Sequence, residues 1–173
     1  MTEEEAQAIL GSLRKGAEAI KEALSDVDDE RSHRNPGPGR WSVQEVVEHI
    51  ALTEDFLFSS ITQAESHGSP LLNLEREGRI ATRGADRSRR IESPEGVRPR
   101  NTFCDTRTAM QHFLASREKT LQYVAAHLSE DLRCKVTSHP LFGAVNVYEV
   151  LLLMAMHVLR HVSQIEKIKL NFS

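Results

Sequence analysis

Two histidines four residues apart, His157 and His161, sit in a stretch of unbroken helical character. At about 3.6 residues per turn, that spacing stacks both imidazoles on one face. Val150, Leu153, Met154 and Ile168 share the face, whereas Glu149, Arg160, Ser163 and Lys167 mark the polar side. The pair is therefore expected to point inward. Burying two adjacent imidazoles without partners is unfavourable. A shared divalent metal ion removes the penalty, because each neutral ring donates a lone pair. The competing reading is a pair of core histidines bonded to backbone or carboxylates. No glutamate directly follows His157, so the pair is not the H-E-x-x-H of zinc proteases and brings no built-in general base.

Two ligands on one helix leave a metal's shell open, and His49 offers a third. It lies about two turns into an earlier helix, at the edge of a stripe formed by Val46, Ile50 and Leu57. Metal sites in helical bundles are built from facing helices in this way. A lone histidine there is otherwise a satisfied core residue. Glu45, one turn before His49, serves as a helix cap or supports a ligand from behind, with the cap preferred. Gln164, three residues after His161, is placed to contact a bound water or substrate, and Trp41 reads as a packing anchor. The remaining histidines of the eight have ordinary roles: His33, His67 and His139 in loops, His112 and His127 beside the polar side of a helix.

Four long helices must position these groups. The first covers residues 3 to 26, where Ala6, Ile9, Leu10, Leu13, Ala17, Ile20 and Leu24 recur at helical spacing after a Thr2–Glu5 capping box. Residues 33 to 40 hold two prolines and two glycines and form a loop. Ser42 and Glu45 then cap a second helix that runs to about residue 65, with Trp41 and Val46 closing a hydrophobic staple. A third helix spans residues 105 to 128 on a stripe of Met110, Phe113, Leu114, Leu121, Val124 and Leu128. A turn at residues 139 to 143 precedes the fourth, residues 146 to 170, which is apolar nearly all round and so is buried by several neighbours. Residues 66 to 104 show no periodicity. Their arginines (Arg76, Arg79, Arg83, Arg87, Arg89, Arg90, Arg98 and Arg100) are largely offset by acids, and the segment reads as a solvated, mobile loop rather than an anion-binding lid.

Composition narrows the function classes. The chain has 173 residues, 39% hydrophobic and only 5% aromatic, which favours one domain, residues 1 to 173, of helices packed on helices. A net charge of -3 gives no pull toward nucleic acid. No apolar run reaches the roughly 18 to 20 residues that span a bilayer. Cys104 and Cys134 match no metal or redox spacing and read as free thiols, and the acidic start is unlike a signal peptide, so a cytoplasmic protein is expected.

Taken in order, these motifs resemble a known family. Residues 38 to 50, from Pro38-Gly39-Arg40-Trp41-Ser42 to His49-Ile50, look like the first signature of the DinB/YfiT-like superfamily. Residues 139 to 143, then His157-x-x-x-His161 with Gln164-Ile165, look like the second. The arginine-rich segment has no match. The resemblance implies an all-α four-helix bundle of up-down-down-up topology, with a long crossover segment between helices 2 and 3. It also implies one divalent metal ion held by His49, His157 and His161, with zinc, nickel or iron as candidates. Characterised relatives include transferases using low-molecular-weight thiols and metal-dependent hydrolases. Three neutral ligands and an open position suit either chemistry: activation of a thiol cosubstrate, or acidification of a water for hydrolysis. Thiol transfer is preferred because it needs no protein base. A non-catalytic metal- or ligand-binding stress module is the remaining alternative. A small-molecule substrate is expected, with no nucleic acid or membrane partner, and a homodimer is plausible. No catalytic residue beyond the metal ligands can be assigned from the sequence.

Overall fold

The computed structural model describes residues 1–88 and 91–171. Four long helices form where the apolar periodicity places them: α1 (Glu3–Leu24), α3 (Val43–Thr62), α5 (Thr106–Ala126) and α6 (Val147–Lys169). Thr2 with Glu5, Ser42 with Glu45 and Asn146 with Glu149 each form a reciprocal capping box, which satisfies two otherwise orphaned donors and fixes where each helix starts. A short helix α2 (Asp29–His33) precedes the Pro/Gly loop, so His33 ends a helical turn rather than lying in that loop.

Contacts along the helices set their directions. Gly16 of α1 lies against Ala155 and Val158 of α6, and Lys169 at the end of α6 donates to the Ala23 carbonyl near the end of α1. These two helices therefore run parallel. Gln44 meets Thr106, and Glu54 meets Arg117, so α3 and α5 are also parallel. Leu57 and Ile61 near the end of α3 pack with Val147 and Leu151 at the start of α6, whereas Val43 and Val46 pack in the cluster of Ile165 and Ile168. That makes α3 antiparallel to α6, and the topology is up-down-down-up. Because α3 and α5 are parallel, the chain must travel back along the bundle between them, and residues 63 to 105 do so.

That return path differs from the structureless loop read from its sequence. It contains helix α4 (Leu74–Arg83), capped by the Asn73 side chain, and a 3₁₀ turn (Glu95–Val97) that buries Val97. Ion pairs dock α4 to the bundle. Arg76 donates two hydrogen bonds to the fully buried Glu149, at 2.6 and 2.7 Å. Arg133 donates to both oxygens of Glu77 and also to Glu5, while its guanidinium lies 4.0 Å from the Tyr148 ring centroid. Glu149 is thus a buried anchor, not part of a solvated face. At the end of α4, a Cβ on Gly84 would come within 2.7 Å of Met156, so glycine permits close approach to α6. Arg89 and Arg90 lie outside the described residues.

A small antiparallel sheet of β1 (Glu65–Ser66), β2 (Lys135–His139) and β3 (Gly143–Asn146) also departs from a purely helical reading. The predicted turn at residues 139 to 143 is its hairpin, with Gly143 at φ 67°, a conformation glycine adopts without steric penalty. Leu128, expected on the buried stripe of the third helix, is exposed beyond its end.

Candidate metal centre

His49 projects from α3 toward α6, where His157 and His161 sit one turn apart. Their rings pack edge to face, with centroids 5.0 Å (His49–His157), 4.7 Å (His49–His161) and 4.4 Å (His157–His161) apart. One ring nitrogen from each lies within 4.8 Å of the others. Among the described residues, no carboxylate or thiol joins this cluster.

The outer hydrogen bonds fix which nitrogen faces in. His49 Nδ1 lies 2.7 Å from the Val97 carbonyl, which can only accept, so Nδ1 carries the proton and the Nε2 lone pair faces the other histidines. For His161 the argument runs through Arg87. The Arg87 guanidinium can only donate, and its Nη1 lies 2.7 Å from one terminal atom of the Gln164 amide, which must therefore be the carbonyl oxygen Oε1. The same oxygen lies 2.9 Å from His161 Nδ1 and accepts its proton too, leaving the Nε2 lone pair of His161 free. Such outer partners set the tautomer and orientation of ligating imidazoles.

Electrostatics keep the rings neutral. Burial pushes the His49 imidazole below its ordinary pKa, opposed by its bond to Val97. His157 is held well below, first by burial and then by repulsion from His161 and His49. His161 is likewise held well below, by burial and then by His49. Neutral imidazoles are the form that binds a metal.

The donor set fits a divalent ion. His49 Nε2 and His157 Nε2 are 3.2 Å apart. Tetrahedral coordination with bonds of about 2.0 to 2.1 Å separates ligand nitrogens by about 3.3 Å. In the absence of an ion the same spacing fits an N–H···N hydrogen bond that His157 donates to His49.

Of the supporting residues read from the sequence, Glu45 is confined to capping: it accepts from the Ser42 backbone and from Asn35, away from the histidines. Trp41 lies beside the site, its ring centroid 5.0 Å from that of His49, and packs on the core. Elsewhere His112 pairs with Asp55, His127 stacks on Tyr123, and His67 and His139 sit outside the bundle core. The sequence reading missed three contributors. The Val97 carbonyl carries no side-chain signal. Arg87 lies in a segment without periodicity. The fully buried Glu48 accepts from the backbone N–H groups of Arg100 and Thr102, at 2.9 and 2.8 Å, and so ties to α3 the stretch that presents Val97.

Comparison with known proteins agrees with this architecture. The chain is 23% identical over 146 residues to the uncharacterized protein YuaE of Bacillus subtilis (strain 168), covering 84% of this chain and 88% of that one. Its fold superposes on that of YfiT from Bacillus subtilis with a TM-score of 0.61 and 14% identity, covering 99% of this chain and 90% of the other. YfiT is described as a probable metal-dependent hydrolase with an unusual four-helix bundle topology. The family model of the DinB superfamily matches residues 12–165, and the chain belongs to that superfamily.

Proposed function

We propose that this chain is a divalent-metal-dependent enzyme whose three-histidine centre activates a low-molecular-weight thiol for transfer to an electrophilic small molecule. The observation that carries this reading is the donor set: three neutral imidazoles, those of His49 and His161 with their Nε2 lone pairs turned inward by the protons they donate to Val97 and Gln164, and no carboxylate joining them among the described residues. When bound there, a divalent ion keeps its full charge and supplies Lewis acidity, lowering the pKa of a thiol from about 8.5 so that sulfur attacks as thiolate. The thiol proton leaves to solvent, the sulfur forms a bond to carbon, and the leaving group departs with the bonding electrons. His49, His157 and His161 would hold the ion, and Val97 and Gln164 keep His49 and His161 oriented. The flank of Trp41 beside His49 offers an apolar wall.

A hydrolytic reading is favoured by one observation, the fold shared with YfiT. The two separate in one experiment. Protein reconstituted with zinc, nickel or iron is supplied with a chlorinated aromatic electrophile and a small thiol, and in parallel with ester and amide substrates. Thiol-dependent turnover that disappears in His49→Ala supports transfer. Turnover only on esters or amides supports hydrolysis. Tight metal binding without turnover on either panel supports a binding module.

A further inference from the structure

Three arginines of the crossover have acidic partners. Arg76 is neutralised by Glu149, Arg98 by Glu92, and Arg79 pairs with Glu75. Arg87 is different. It is half-buried and makes no ion pair among the described residues; its one hydrogen bond goes to the neutral Gln164 amide. That amide oxygen also holds His161 Nδ1, so the guanidinium stands one residue away from a metal-ligand candidate. A second cation shares the neighbourhood. Arg160, expected from the sequence on the polar side of the helix, instead falls on the helical face of His157, His161 and Gln164, since positions 157, 160, 161 and 164 follow i, i+3, i+4 and i+7. The fields of Arg87 and Arg160 both reach His161, and the two guanidiniums repel each other, with Asp86 facing Arg160.

A partly desolvated guanidinium held by a neutral amide is unfavourable without an anion. Its planar fork has donors to spare after one bond and matches a carboxylate. We infer that Arg87 makes the mouth of the three-histidine site a receptor for an anionic group, so that the small molecule handled there carries a carboxylate. This rests on the metal-site reading above and narrows its substrate class. Gln164 then couples the two events, because the oxygen that orients His161 also holds the anion-binding side chain.

The test uses the full chain loaded with cobalt(II) and two thiols of equal length, 3-mercaptopropionate and 3-mercaptopropionamide. They share the ligating sulfur and differ in the charge of the tail. The sulfur-to-cobalt charge-transfer band reports binding. The wild-type protein is expected to bind the acid at least about tenfold more tightly than the amide, as a charge-assisted bond implies. R87Q is expected to bind the two alike. Equal affinities in the wild type, or a preference that survives in R87Q, overturns the inference. The ratio is the readout, because any loss of cobalt affinity in R87Q weakens both ligands together. If neither thiol produces the band, the thiol-transfer reading falls. Arg87 is then tested with the hydroxamates of succinic and succinamic acid, which bind cobalt through the hydroxamate, with the same two outcomes.

Discussion

Helix α3 buries two polar centres little more than one turn apart, and they are built on opposite principles. Glu54, 3% exposed, faces Arg117, 1% exposed, across to α5, and Thr120 donates to its other oxygen. Opposite charges meet there and offset each other, while Arg117 Nε and Nη1 have no hydrogen-bond partner among the described residues. His49 faces His157 and His161 across to α6, and like groups meet: three imidazoles held neutral by burial, with His157 and His161 lowered further by neighbouring histidines. The first centre balances its charge within the chain. The second brings one ring nitrogen from each of three imidazoles within 4.8 Å of the others. The difference separates a charge-paired polar core from a cluster of uncharged donors, although burial alone would class them together.

The comparison breaks first at the ion pair. Glu54→Ala leaves the Arg117 guanidinium buried and uncompensated, and is expected to lower unfolding stability by about 3 to 5 kcal/mol in urea titration. The double variant Glu54→Leu, Arg117→Met should recover most of that loss. If Glu54→Ala were as stable as the wild type, the two centres would not differ as described.

Arg76→Ala is the next largest. It unpairs the fully buried Glu149 and should cost about 2 to 3 kcal/mol, with faster amide exchange in α4 than in α6. Unchanged protection of α4 would show that its docking does not depend on this pair. Gln164→Ala should weaken metal affinity about 10- to 100-fold without unfolding the chain, since it frees the His161 ring to rotate. Affinity equal to wild type would remove Gln164 from the site.

The smallest effect is the most diagnostic. The three imidazoles have folded pKa values below the ordinary 6.5, so below that value the unfolded chain binds more protons than the folded one. Stability of metal-free protein should therefore fall as pH drops through about 6.5 toward the lowered folded values, and hold steady above it. His49→Ala removes one such group and relieves repulsion on the other two. Its metal-free form should differ from wild type by less than about 1 kcal/mol at pH 7.5, with a shallower decline toward pH 5. A large loss at pH 7.5 would mean that His49 is a structural core residue.

How much of this was legible follows from what each element is made of. The four long helices announce themselves by apolar stripes and capping boxes, and the histidine pair by its spacing. Helix α4 does not, because Ile80 is its only buried apolar residue; Glu77 and Arg76 dock it instead. Those ion pairs join residues 56 and 73 positions apart, and local periodicity cannot show such pairings. Glu149 looked solvated for the same reason, since its partner Arg76 lies 73 residues away. The hairpin of β2 and β3 was reduced to its turn because its strands are short and mostly half-buried or exposed. At the candidate site, the imidazoles were visible and their supports were not: a backbone carbonyl at Val97, and an amide whose orientation depends on a distant arginine.

The central claim, that the three imidazoles form one ion-binding centre, is tested most directly by calorimetric titration of zinc into metal-free protein. Wild type is compared with His49→Ala, His157→Ala and His161→Ala. The account predicts one equivalent bound by the wild type and a loss of at least about 100-fold in affinity in each variant, with helical content retained in circular dichroism. Zinc bound with wild-type affinity by all three variants, or not bound by the wild type, would contradict it.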